Sequence, residues 1–142
     1  MLTINTILLP MVIRMSKNYA LYENLEMPRY DLPIIFHKNF LYRDRSGEFF
    51  YRHWHEKMEF LYFTKGEAVI ECNAERINAR AGDFIVINSN ELHEGRALTD
   101  VAEYYCIIVD TSLFEGRNID ICETKYIKPI YQNRILFKNK VE

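Results

Sequence analysis

Gly47-Glu-Phe-Phe-Tyr-Arg-His-Trp-His-Glu-Lys-Met-Glu59 holds two of the chain's four histidines, one residue apart, with a glutamate four residues after the second. Side chains on a β-strand alternate faces, so His53 and His55 share one, and the same parity places Phe49 and Tyr51 with them. Glu56-Lys57 reads as a bend. Beyond it, Glu59, Leu61 and Phe63 share a face of the next strand, and an inward turn of that face sets Glu59 beside the two histidines. His93 lies on a later strand, two turns further on. Three imidazoles and a carboxylate are a donor set for Fe(II), Mn, Ni or Zn. The same residues can also floor a polar pocket, satisfied by internal hydrogen bonds with no metal.

Working outward, the chain reads as short strands between turns. Ile34–Phe40 precedes the turn cluster Asp44-Arg-Ser-Gly47, and Phe49–His55 follows it. Met58–Thr64 and Glu67–Cys72 form a hairpin across Gly66. Arg76–Arg80, Asp83–Ile87, Leu92–Arg96 and Val101–Val109 complete the series, with turns at Asn73–Glu75, Ala81–Asp83 and Asn88–Asn90. Asp110-Thr-Ser112 is placed to cap a short helical turn ending at Gly116. Tyr126–Tyr131 and Ile135–Phe137 are short apolar pieces whose state the pattern leaves open. There is no long amphipathic helix and no internal repeat. The expected fold is all-β: a double-stranded β-helix, or jelly-roll barrel, with short helical or irregular pieces at its C-terminal end.

Composition agrees. The 142 residues suit one domain, 49% are hydrophobic, and 14% are aromatic, mostly Tyr and Phe, which favour strands. The net charge of -2, without a basic block, argues against nucleic-acid contact by this segment itself. Cys72, Cys106 and Cys122 are odd in number and form no CxxC pair, which excludes a disulfide framework and a cysteine zinc site. Cys72 and Cys106 lie in apolar strands and read as small core residues, consistent with a reducing cytoplasm. No nucleophile, phosphate loop or acid–base dyad appears, so no catalytic residue is assigned.

Residues 1–14, MLTINTILLPMVIR, are too short to span a bilayer and lack a basic leader and a cleavage site. They are expected to pack loosely or to add a peripheral strand, and Met15 could be the translation start. The chain divides into an N-terminal extension and lead-in (1–29), a barrel (30–112) and a C-terminal segment (113–142). The last reads equally as a linker or as a short closing strand. His37 belongs to no motif and is expected at the surface.

The first histidine motif resembles that of the cupin superfamily, G-x5-H-x-H-x3-E-x6-G. Gly47, His53, His55, Glu59 and Gly66 fill each fixed position. The second cupin motif, G-x5-P-x-G-x2-H-x3-N, is matched by Gly82 and His93. Asn88 stands at its proline, Asn90 at its glycine and Ala97 at its asparagine. A narrower resemblance, carried by His53-Trp-His-Glu56, by Gly82-Asp83 through His93 and by Tyr104 to Asp110, is to the N-terminal sensing domain of AraC-type transcription regulators.

That resemblance implies a barrel that binds a small effector, such as a sugar, and supports a homodimer. DNA would be contacted only through a separate helix-turn-helix domain, absent from these 142 residues. No cofactor is then required and no membrane is involved. The expected effector pocket comprises Phe49, Tyr51, His53, His55, Glu59, Leu61 and His93. His53, His55, Glu59 and His93 are the candidate ligands of a divalent metal. The alternative is a small metal-dependent cupin enzyme of dioxygenase or sugar-isomerase type, and a third reading is a bare dimer scaffold. Phe60 and Tyr62 face the other way and need covering by the N-terminal segment, the C-terminal piece or a partner.

Overall fold

The computed structural model describes residues 18–28, 32–43, 50–114 and 121–141. The expectations for residues 1–14, the Asp44–Gly47 turn, Gly47, Phe49 and Gly116 lie outside them.

Nine strands occur among the described residues: β1 (Ile34–Tyr42), β2 (Phe50–His53), β3 (Met58–Lys65), β4 (Glu67–Cys72), β5 (Glu75–Arg80), β6 (Phe84–Ile87), β7 (His93–Ala97), β8 (Val101–Val109) and β9 (Lys140–Val141). They build two antiparallel sheets, ordered β1-β8-β3-β6-β9 and β2-β7-β4-β5. Sequence-adjacent strands often fall in different sheets, as a jelly roll requires. The fold is the expected all-β barrel with short helical pieces near the C-terminal end.

Period-two patterning decides which side chains fill it. Along β8, Ala102, Tyr104, Cys106 and Ile108 are buried while their neighbours are half-exposed. Opposite them, β3 turns Glu59, Leu61 and Phe63 inward, with Leu61 and Phe63 fully enclosed. Ile85 and Ile87 of the neighbouring β6 extend this face, and Ile70 and Ile77 of the other sheet close the core against it. Gly66 turns β3 into β4 at φ 73°, and a Cβ there would run into the Val101 carbonyl, so no other residue fits this hairpin.

The strand at the histidines breaks the alternation. Phe50 pairs with Gly95 and His53 with His93, which puts two residues of β2, Tyr51 and Arg52, opposite one of β7, Glu94. This bulge rotates the strand locally. Phe50 and His53 therefore both face the interior, and Tyr51 is 64% exposed. The simple parity that placed Tyr51 with the histidines is thereby corrected: Phe50 takes that place. Gly95 makes room for it, since a Cβ there would overlap the Phe50 ring and come within 2.9 Å of Ile70 Cδ1.

The C-terminal piece left open by the sequence pattern is a π-helical turn, Glu123–Ile127, running into α1 (Lys128–Tyr131). Ile127, Ile130 and Tyr131 line an apolar cavity of about 210 Å³ against Met58, Phe60 and Val109. Phe60 is thus covered by the C-terminal piece and stacks on Phe84 at 5.9 Å, whereas Tyr62 stays 43% exposed. His37 is exposed on β1, as expected.

Where β3 and β8 end, Lys57 Nζ meets Asp110 Oδ2 at 2.7 Å, and Asp110 Oδ1 accepts the Ser112 amide at 2.8 Å. Burial raises the Asp110 pKa, but the Lys57 and Ser112 contacts outweigh it and hold the carboxyl below its usual value. Its contribution is present above the unfolded value of about 3.9 and lost as pH falls through the folded one. Asp110→Asn is expected to lose about 1 kcal/mol of stability at neutral pH. In urea unfolding the gap to wild type closes as pH drops below about 3.9; a gap independent of pH would contradict this origin.

Candidate functional site

Four side chains from three strands and a loop converge inside the barrel. His53 ends β2, His55 follows it, Glu59 lies on β3 and His93 begins β7. One donor atom from each lies within 4.8 Å of all the others. His55, Glu59 and His93 are buried and His53 half-buried, so the set sits in the wall and floor of the barrel, with His53 its most accessible member.

The rings are fixed by the backbone. Nδ1 of His53 lies 2.6 Å from the Tyr51 carbonyl, Nδ1 of His55 3.1 Å from that of Lys57, and Nδ1 of His93 2.8 Å from that of Glu91. A carbonyl only accepts, so each Nδ1 carries a proton and donates it. In a neutral ring Nε2 then bears a lone pair, and the three Nε2 atoms are the ones turned toward the shared centre. Backbone tethers of this kind hold metal-binding imidazoles in register.

Glu59 completes the set. Its Oε2 lies 3.1 Å from His55 Nε2 and 3.3 Å from His93 Nε2. The second contact is misaligned for a hydrogen bond, leaving His93 Nε2 buried without a partner. The other oxygen, Oε1, accepts the Cys106 thiol at 3.1 Å. Burial pushes the Glu59 pKa up, but the His55 hydrogen bond and the close approach of the His93 ring favour the ionised carboxylate, prevail and hold it well below the usual range. The same burial and the adjacent Glu59 carboxylate drive the Cys106 thiol far up, so it remains protonated and donates.

With all three rings neutral, three lone-pair nitrogens and an anionic oxygen would repel one another in this enclosed site, so a positive charge must join them. A proton shared with one imidazole meets part of that need. A divalent cation meets it more fully: ligands about 2.1 Å from a metal lie roughly 3 to 4 Å apart, as the two Glu59 pairs do at 3.1 and 3.3 Å, and all four donors lie within 4.8 Å of one another. The residues therefore fit a cation of the Fe, Mn, Ni or Zn type.

The surroundings include groups that spacing could not reveal. Glu23, from the lead-in, places Oε2 3.1 Å from His53 Nε2. That segment is clamped by Trp54, whose Nε1 donates to the Asn18 carbonyl at 3.0 Å and whose ring packs on Tyr22 at 4.8 Å. Phe50 lies 6.0 Å from His93 and 6.4 Å from Tyr104, which stacks on Phe63 at 5.2 Å. Of the sequence-expected pocket residues, His53, His55, Glu59 and His93 come together, Leu61 is core beneath them, Tyr51 points away and Phe49 lies outside the described residues. The inward alternation of β8 could have flagged Tyr104 and Cys106. Nothing local flagged Glu23.

Replacing Glu59 by glutamine keeps the shape and removes the charge. The carboxylate that His55 and His93 hold ionised is then lost, so the metal-free variant is expected to be less stable than wild type by about 2 kcal/mol at neutral pH in urea unfolding. Unchanged stability would show that lone pairs, and not protonated imidazoles, face this carboxylate.

Comparison with known proteins places the chain. The family described as AraC-like ligand binding domain matches residues 39–128. An uncharacterized HTH-type transcriptional regulator, YdeC of Bacillus subtilis (strain 168), is 32% identical over 81 residues, which is 54% of this chain and 28% of that protein. The chain thus spans less than a third of this relative's length. A cupin 2 conserved barrel domain protein from Salinispora arenicola superposes with a TM-score of 0.51 at 19% identity, covering 63% of this chain and 73% of that one, a likeness of fold. With most of the barrel inside the matched residues, the chain belongs to the AraC-like ligand binding domain family.

Proposed function

We propose that this chain is the ligand-sensing module of an AraC-type transcription regulator, with a divalent cation held by His53, His55, Glu59 and His93 as the anchor for a small effector. The observation that carries the cation is the convergence of four electron-rich donors, including the unpartnered His93 Nε2, within 4.8 Å. When bound, such a cation supplies open coordination positions for an oxygen-rich molecule. A sugar suits them because neighbouring hydroxyls can fill two positions together. His53, the least buried of the four, marks the side of entry, and Phe50 and Tyr104 supply apolar walls.

The sensing role is supported by the family and by the regulator that this chain resembles. Effector occupancy would act by population shift, favouring one arrangement of a homodimer whose DNA contacts come from a separate domain. Such a protein works in the cytoplasm. Among the described residues no helix is long and apolar enough to cross a membrane. A metal-dependent enzyme is the second reading, favoured by the completeness of the donor set. The two part on the fate of the bound molecule, which a sensor returns unchanged.

Wild-type protein is expected to bind one equivalent of Co²⁺ in a calorimetric titration, and His55→Ala to bind at least about a hundredfold more weakly. A sugar panel is then incubated with the loaded protein and analysed by mass spectrometry. A retained, unaltered ligand supports the sensor, and a converted one supports the enzyme. Equal Co²⁺ affinity in wild type and His55→Ala would remove the cation from the account.

A further inference from the structure

The second motif departs from the cupin pattern at Asn88, Asn90 and Ala97, and the structure gives the first two a use. Asn88, buried at the end of β6, pairs with the main chain of Phe137: its Nδ2 donates to the Phe137 carbonyl at 3.1 Å and its Oδ1 accepts the Phe137 amide at 2.9 Å. A proline there has neither a side-chain amide nor an N–H. Asn90, in the left-handed region at φ 61°, sends its amide to the His55 carbonyl at 2.7 Å. Asparagine is among the few residues other than glycine that take this conformation readily.

Between them, Glu91 gathers the network. Its Oε2 accepts the Asn88 amide at 2.8 Å, Asn88 Nδ2 at 3.2 Å and Asn139 Nδ2 at 2.7 Å, and its Oε1 accepts Asn73 Nδ2 at 3.2 Å. Asn139 also donates to the Val86 carbonyl at 2.9 Å and accepts the Val86 amide on its own carbonyl at 2.7 Å. The main-chain carbonyl of the same Glu91 holds Nδ1 of His93. Residues 88–93 thus touch two donor histidines on one side and residues 137–139 on the other, through directional polar contacts that are mostly part-buried.

We propose that this loop links the donor set to the C-terminal segment, with Glu91 as the positioning residue for His93, so that occupancy of the site and docking of residues 137–141 strengthen one another. The inference deepens the sensor reading and rests on it. A cation that fixes the rings of His55 and His93 also fixes the two loop atoms bound to those residues, the Asn90 amide and the Glu91 carbonyl. The loop in turn presents Asn88 and Glu91 to the tail. Coupling of this kind is reciprocal: what the cation does for the tail, the tail does for the cation.

The test uses the full chain and Co²⁺ alone. Amide hydrogen exchange at Phe137, Asn139, Lys140 and Val141 is expected to slow about tenfold on saturation with Co²⁺, and not to change in His55→Ala. In the reverse direction, Asn139→Ala, which touches none of the four donors, is expected to weaken Co²⁺ binding about fivefold or more. Wild-type Co²⁺ affinity in Asn139→Ala, or unchanged exchange at the tail of saturated wild type, overturns the link while leaving the donor set standing. Failure of wild type to bind Co²⁺ at all overturns both. The wild-type exchange measurement decides the matter even where Asn139→Ala folds poorly.

Discussion

The structure turns on one electrostatic constraint: a carboxylate and three imidazoles share a dry space too small for them to ignore one another. Glu59 could not be buried there without partners, since an isolated ionised carboxylate in an apolar interior is very costly. It is kept ionised by His55 and His93 on one oxygen and by the Cys106 thiol on the other. Each imidazole is in turn aimed by a main-chain carbonyl two residues away along the chain. The barrel is the frame that makes these aims agree. Strands β3, β7 and β8 must hold register for Glu59, His93 and Cys106 to meet, and Leu61 and Phe63 fill the space below them.

Much of this was written in the sequence. Aromatic and β-branched runs such as Met58–Lys65 and Val101–Val109 state a strand directly, and Gly66 marks a hairpin that only glycine can turn. The donor set was named from the spacing of His53, His55, Glu59 and His93 and its resemblance to the cupin motif, and the structure brings the four side chains together although His55 lies past the end of β2. The failures have physical causes. Alternation assumes unbroken pairing, and the bulge opposite Gly95 exchanged Tyr51 for Phe50. Glu23 reaches the site through a tertiary contact with no local signature. The π-helical turn and α1 are too short for a 3.6-residue period to declare itself.

On the proposed reading, the same constraint gives the domain a way to respond to a ligand: the charge of Glu59 is balanced by protons on the imidazoles or by a cation among them. The site's neighbours are not passive. Glu23 sits on the exposed side of His53, and the Asn88–Glu91 network sits behind His93. The chain's departures from the cupin pattern at Asn88 and Asn90 fall where the loop meets the C-terminal segment and His55, which makes them part of the domain's design and not simply erosion of a metal motif.

The most direct test of the central claim is X-ray absorption spectroscopy of the full chain loaded with one equivalent of Co²⁺. The account predicts a nitrogen and oxygen shell at about 2.1 Å carrying the multiple-scattering signature of imidazoles, with no sulfur. A fully hydrated ion, or a sulfur shell from a cysteine, would contradict it.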